Sequence, residues 1–313
     1  MNEGMNAVLF LFHVLTLLVV PVFAIGVINR TKSIWAGRKG PNLNQFFFDL
    51  CRLLKKIPVY SNVSSWIFQF APWLILTSSF AAGLISPIVS GYSPISFSYD
   101  FVYFAYLLGL GRVFLILAAL EPGSSFEGMG ASREATYSAL VEPALFFVVG
   151  TLGILSGHGS FQDLSQWGDL GQLGWLVRAL LVIALFILLQ IEAARIPVDD
   201  PNTHLELTMI HEVMVLDHSG PELAAIQYGA AIKLVLLEGL IASVLNPIAL
   251  DKSPLASCGV SLAIIAVLSV SVGVVESLIA RLRLRTVPLY AMAGVFAGVL
   301  SLILGILSQK GAL

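Results

Sequence analysis

Stretches of apolar residues long enough to cross a bilayer recur along almost the whole chain, and few soluble architectures could absorb so many. A hydrocarbon core needs about 20 consecutive apolar residues per helix. Read with that window, the sequence predicts eight spans, over about 7–28, 67–89, 101–120, 135–155, 173–191, 224–250, 256–279 and 289–307. Composition agrees: the 313 residues are 57% hydrophobic and 12% charged, against about 25% charged in an ordinary soluble domain. The expected fold class is therefore an all-α membrane protein with residues 1–313 as a single integral membrane domain. Residues 1–6 carry no basic segment and no small-residue cleavage site follows, so the first span is read as a retained helix rather than a secretory signal.

Other function classes lose their chemistry at this stage. A net charge of −2 provides no basic surface for nucleic acid. The two cysteines, Cys51 and Cys258, stand far apart and in no CxxC or Cys/His cluster, so no disulfide framework, zinc site or iron–sulfur cluster is expected in this chain. No GxSxG, HExxH or Walker loop is present. A secondary transporter usually shows two related halves with broken helices in matching positions, and no internal repeat is visible here.

Lysine and arginine set the expected orientation, because cytoplasmic loops retain them. The odd-numbered loops hold Arg30, Lys32, Arg38, Lys39, Arg52, Lys55 and Lys56, then Arg133, Arg195, Arg281, Arg283 and Arg285, whereas the even loops and both termini hold Lys252 and Lys310. Both termini are expected on the outer side of the cell membrane, with the working face towards the cytoplasm. Within the first loop, about 43–57, Phe46, Leu50, Leu53, Leu54 and Ile57 recur at helical spacing, Asp49, Arg52, Lys55 and Lys56 take the other side, and Pro58 ends the pattern. An amphipathic helix at the inner interface is expected, as a plain surface helix or as a docking platform for a peripheral subunit.

Ionisable residues at bilayer depth cost about 2.5–3.5 kcal/mol each on insertion scales, so each one asks for a role. Glu142 lies nine residues past Arg133, about 13 Å down a helix and near mid-bilayer. Arg112 lies at similar depth in the third span, Lys233 and Glu238 in the sixth, and Glu276 in the last turn of the seventh. Pairwise neutralisation, for example of Glu142 by Arg112 or Lys233, is one reading. The other is a relay running from the cytoplasm to mid-membrane, with Glu192, Asp199, Glu206, Glu212 and Asp217 as further members. The densest stretch is the fifth loop, about 192–223. There Glu192 and Arg195 are spaced to pair, Pro197 and Pro201 break the helix, and His204, His211 and His218 recur at intervals of seven. On a helix such a stripe would be spaced by about 10.5 Å per step, too far for shared metal ligation by consecutive members. A proton-carrying stripe and three interfacial histidines facing a partner are both open readings.

The motifs as a set resemble a known family. Gly37-Arg38-Lys39-Gly40-Pro41 with Asp49, Gly130-Ala131-Ser132-Arg133-Glu134-Ala135 followed by Val141-Glu142-Pro143, Glu192-x-x-Arg195-x-Pro197-x-Asp199 with Glu206, and Glu276-Ser277 followed by Ala280-Arg281-Leu282-Arg283-Leu284 resemble the eight-helix membrane subunit of respiratory complex I. Within that superfamily the chain is similar to the branch found in membrane-bound [NiFe] hydrogenases of the formate hydrogenlyase and hydrogenase-4 type. The resemblance implies a non-catalytic subunit anchoring a soluble arm, whose hydrogenase large and small subunits carry the nickel–iron centre and iron–sulfur clusters, and passing changes towards antiporter-like membrane subunits. Arg38, Asp49, Arg133, Arg195, His204, His211, His218, Arg281 and Arg283 are the candidate docking residues. Arg112, Lys233 and the acidic residues named above are the candidate relay. Quinone-using relatives, with a complex I-like arm, imply instead a quinone cavity in the same region, bordered by the amphipathic helix and the first and sixth spans. Asn202 and His204 replace further glutamates that relatives carry in the fifth loop.

Overall fold

A computed structural model describes residues 3–61, 64–89, 91–165, 173–200, 209–248 and 253–309. Among them are nine α-helices: α1 (Glu3–Trp35), α2 (Gln45–Leu54), α3 (Trp66–Ile85), α4 (Asp100–Leu120), α5 (Ser125–Ser156), α6 (Gly174–Glu192), α7 (Gly220–Leu245), α8 (Pro254–Leu278) and α9 (Val287–Gln309). All but α2 are long and apolar enough to cross a membrane. They match the eight expected spans, with the largest difference at α5, which begins about three turns before the apolar window. That first segment, residues 125–134, carries Glu127, Arg133, Glu134 and two glycines, so neither hydropathy nor helix propensity registers it; Gly130 there packs against Ile210 and Val213 of the loop after α6.

Helix α7 is the axis of the bundle. Its span is 78% buried, against 33–56% for the others, and it packs on α1, α2, α3, α6 and α8. The remaining large interfaces are α5 and α6 with α9, α3 with α4, and α1 with α8. Prolines interrupt α1, α3 and α5 at Pro21, Pro72 and Pro143. Such breaks persist in membrane helices because neighbouring helices or polar cavities satisfy the freed carbonyls. Pro143 matters most for the site, since it has no N–H to give to the carbonyl of Ala139, one turn earlier.

The short helix α2 differs from its sequence pattern in two respects. It ends at Leu54 rather than at Pro58, leaving Ile57 off the helix and 86% exposed. Its polar side is not wholly turned away either: Asp49 and Arg52, ion-paired at 2.8 Å, line a cavity with Phe46 and Leu53 against α1 and α7. Leu50 is its buried anchor, while Phe47, Phe48 and Leu54 are exposed. Gly26 of α1 lets the chain before α2 pass this closely, because a Cβ there would stand 2.0 Å from the carbonyl oxygen of Leu43.

Candidate functional site: an ionic core between three cavities

Arg112, just past the middle of α4, is the hub of the interior. Its guanidinium forms ion pairs with Glu142 and Glu134 of α5 and with Glu192 at the end of α6, the Nε to Glu134 Oε1 distance being 3.5 Å. A forked, permanently charged group can hold several carboxylates at once, which a lysine could not do equally. The expected pairing of Glu142 with Arg112 is present. The pairing of Glu192 with Arg195 is not, because α6 stops at Glu192 and the chain turns through Ala193 and Ala194, so Arg195 leaves the helix face. Glu134 is the member that charge spacing did not single out, although it stands inside the Gly-Ala-Ser-Arg-Glu-Ala motif.

Three spaces lie around this core, of which the second and third touch it directly. An open cavity of about 380 Å³ lies between α1, α2, α7 and the loop after α6, with Arg52, Arg195, His211 and Glu212 among its walls. A chamber of about 10 Å³ is lined by Arg112, Glu134, His211, Lys233 and Ser79. A groove of about 810 Å³ opens through the side of the bundle between α4 and α5, where Tyr103, Tyr106 and Phe146 surround Arg112, Glu142 and Glu192.

A second ionic cluster closes the end of the bundle where most basic residues collect. Glu276 of α8 takes Lys32 Nζ at 3.0 Å and Arg195 Nη1 at 3.5 Å, Lys32 reaches Asp200 at 3.7 Å, and Arg281 pairs with Asp199 at 2.9 Å. Asp199 also accepts the backbone N–H groups of Ile210 and His211, at 3.0 and 2.8 Å. Arg133 donates to the carbonyl of Met209 at 2.8 Å. The loop is thus stitched to α1, α5, α8 and the segment before α9. Lys32 and Asp200 were also missed, since neither stands inside an apolar window.

The histidines do not form a stripe, because the described part of the loop contains only a short 3₁₀ turn, Glu212–Val215. His204 and Glu206 lie outside the described residues. His211 and His218 are 8% and 3% exposed and Arg195 6%, so all three lie inside the fold. His211 lines both the open cavity and the chamber. Burial and then the cations of Lys233 and Arg112 hold it near pKa 3, as neutral imidazole. His218 stacks on Phe68 of α3 with ring centroids 3.9 Å apart, and burial lowers it to about 4. Glu212 goes the other way, to about 7, because it is buried and faces the carboxylate of Asp199, with Arg195 only partly compensating.

Beside His218, the link between α2 and α3 crosses the start of α7. Tyr60 donates to Glu222 at 2.6 Å and the Val59 N–H to Ser219 Oγ at 3.0 Å. Asp217 is exposed, and its N–H reaches Glu127 of α5 at 3.3 Å, apart from the Arg112 core. Glu238, fully buried in α7, accepts from Ser269 of α8 at 3.0 and 3.1 Å. Arg38 and Arg283 remain exposed. No group of three or more potential metal ligands is present among the described residues.

A bundle of eight membrane-capable helices around a buried ionic core defines a multi-pass membrane protein. The family model described as NADH dehydrogenase matches residues 7–307, and the chain belongs to that family. It is 30% identical to hydrogenase-4 component C of Escherichia coli (strain K12), over 75% of this chain and 73% of the relative. It is 27% identical to formate hydrogenlyase subunit 4 of the same organism, over 91% of this chain and 94% of the relative. A subunit of the NADH-quinone oxidoreductase of Phenylobacterium zucineum (strain HLK1) matches at 27% over 58% of this chain and 57% of its own. In fold the chain resembles a chain of the archaeal membrane-bound sulfane sulfur reductase, a respiratory membrane complex, with TM-score 0.76 over 96% of this chain and 99% of that one, at 18% identity.

Proposed function

We propose that this chain is the membrane anchor and energy-coupling subunit of a membrane-bound [NiFe] hydrogenase complex of the hydrogenase-4 or formate hydrogenlyase kind. It links electron transfer in a soluble arm to proton or sodium translocation and hosts no redox centre itself. The nickel–iron centre and iron–sulfur clusters belong to the arm. The basic end faces the cytoplasm, both termini lie outside, and exposed Arg38, Lys39, Arg283 and Arg285 meet the arm there.

One observation carries the reading. Glu142 is half exposed on the side of the bundle while bound to a buried arginine. A carboxylate facing hydrocarbon costs about 2.5–3.5 kcal/mol, so the groove that displays it is where a second membrane subunit packs. An anchor alone needs no ionic core opening towards its neighbour, whereas a coupling subunit does. Two relatives that match most of this chain bear the names of hydrogenase-4 and formate hydrogenlyase components, which supports this branch.

The quinone-site reading keeps a specific observation of its own. The cavity of about 380 Å³ lies where a quinone would sit, with apolar Phe46, Leu53 and Leu234 beside the donors Arg52 and Arg195. Purifying the complex through a tag on this chain, followed by mass spectrometry and paired assays of hydrogen oxidation and NADH-driven quinone reduction, separates the two. A nickel–iron large subunit with hydrogen turnover is expected. A complex lacking that subunit and reducing quinone with NADH overturns the hydrogenase reading.

A further inference from the structure

The three cavities share walls, and the shared walls are specific. His211 is the titratable residue common to the open cavity and the chamber; the other residues common to both, Ile226 and Ala230, carry no proton. Arg112 is the charged residue common to the chamber and the lateral groove. We propose that His211 is the proton-transfer residue that joins the open cavity beside α2 to the ionic core around Arg112, and through it to the lateral groove. The proposal rests on the coupling role above and names the step at which a proton passes inwards.

The geometry separates the position of the ring from its task. The backbone N–H of His211 is held by Asp199, itself held by Arg281, and the His211 carbonyl accepts from Met214 at 3.0 Å. These contacts use no ring atom. With His211, the chamber is lined by Arg112 from α4, Glu134 from α5 and Lys233 from α7, and the open cavity by Glu212 and Arg195 from its own loop. Two nearby cations disfavour a third positive charge, so the ring works as neutral imidazole.

A neutral imidazole carries one N–H and one bare nitrogen. A proton from cavity water, or from the Glu212 carboxyl, forms a bond to the bare nitrogen. The proton on the other nitrogen leaves towards the Glu134 carboxylate. The ring is neutral before and after, and a flip about its side-chain bonds turns the new N–H towards the chamber and the bare nitrogen towards the cavity, ready for the next transfer. The chamber of about 10 Å³ has room for about one water between ring and carboxylate. Arg112 does not give up a proton. Its fork instead holds Glu134 on the chamber side and Glu142 and Glu192 on the groove side, so the proton passes from carboxylate to carboxylate around it.

The test uses the intact complex reconstituted in vesicles with a trapped pH dye and driven by hydrogen or by NADH, whichever it oxidises. His211→Gln keeps the backbone contacts but cannot exchange tautomers. It is expected to assemble, to retain its electron-transfer rate with an artificial acceptor within about twofold, and to move at least tenfold fewer protons per electron pair. His211→Ala is expected to show the same loss and to regain translocation when imidazole is added, which a packing role would not allow. Wild-type stoichiometry in His211→Gln overturns the relay and leaves the coupling role standing. A loss in His211→Ala that imidazole does not restore also overturns it, in favour of a structural ring. Wild-type vesicles that move no protons overturn the relay, and vesicles that move neither protons nor sodium overturn the coupling role with it.

Discussion

Arg112 and Glu142 form an ion pair with unequal halves: the arginine side chain is 7% exposed and the glutamate 50%. The cation belongs to the interior and the anion to a lateral opening. The other two carboxylates on Arg112, Glu134 and Glu192, are 15% and 7% exposed. One positive charge therefore organises three negative ones. Removing a partner from a buried pair costs about 3–5 kcal/mol, far more than the pair itself contributes, because the remaining charges are left uncompensated.

Arg112→Ala should accordingly lower the thermal midpoint of the detergent-solubilised protein by a margin consistent with about 3–5 kcal/mol. Arg112→Lys should fall between, since it keeps the charge and loses the fork. Adding Glu192→Gln to Arg112→Ala should return part of the loss. Scanning fluorimetry reads all three, and an unchanged midpoint in Arg112→Ala would show that the three carboxylates do not depend on it.

Glu212 gives a pH dependence of defined sign. Its folded pKa of about 7 lies above the ordinary 4.5, so the folded state binds this proton more tightly than the unfolded one. Its contribution to stability is full below about pH 4.5, declines as pH rises from there to about 7, and stays lost above, by on the order of 3 kcal/mol at most. Glu212→Gln, neutral throughout, should match the wild type at pH 5 and exceed it in thermal midpoint at pH 8. A difference between the two proteins that is constant over that interval would contradict the buried, Asp199-facing placement.

Much of the frame was legible from the chain, because apolar length depends only on local sequence. The eight spans follow from it, and the amphipathic element follows from the helical spacing of Phe46, Leu50 and Leu53. Partners were not legible wherever the backbone stops being helical. The spacing of Glu192 and Arg195 suggests a pair only if α6 continues, and it ends at Glu192. The intervals of seven among His204, His211 and His218 imply a shared face only on a helix, and the described part of the loop has a short 3₁₀ turn instead. Glu134 illustrates a different limit: its burial comes from α5 starting about three turns early, and no hydropathy window reports that.

The link between α2 and α3 depends on Gly220. Its φ is +59°, and a Cβ there would stand 3.1 Å from the carbonyl oxygen of Lys56. Gly220→Ala should cost on the order of 1–3 kcal/mol through backbone strain and loosen residues 55–61. Tyr60→Phe, which removes only the hydrogen bond to Glu222, should cost about 1 kcal/mol or slightly more and delete from the tyrosine titration the phenol that Glu222 holds near 12. Hydrogen exchange across the link, faster in Gly220→Ala than in Tyr60→Phe, checks the order.

The cluster at the basic end can be apportioned by a double-mutant cycle. Glu276 is the shared anion of Lys32 and Arg195, with its side chain fully buried. Glu276→Gln preserves shape but leaves two cations facing a neutral amide. Lys32→Met removes one of them while keeping much of the aliphatic stem. If the 3.0 Å contact holds α1 to α8, the single changes should each destabilise, and the double should cost less than their sum by about 0.5–3 kcal/mol. The effect should also be local in exchange: amides of residues 195–200 and 209–215, tied through Arg195 and Asp199 to this end, should open faster in Glu276→Gln than those of α9, which the cluster does not touch. Strict additivity of the two changes would place Lys32 outside the network that fixes this loop.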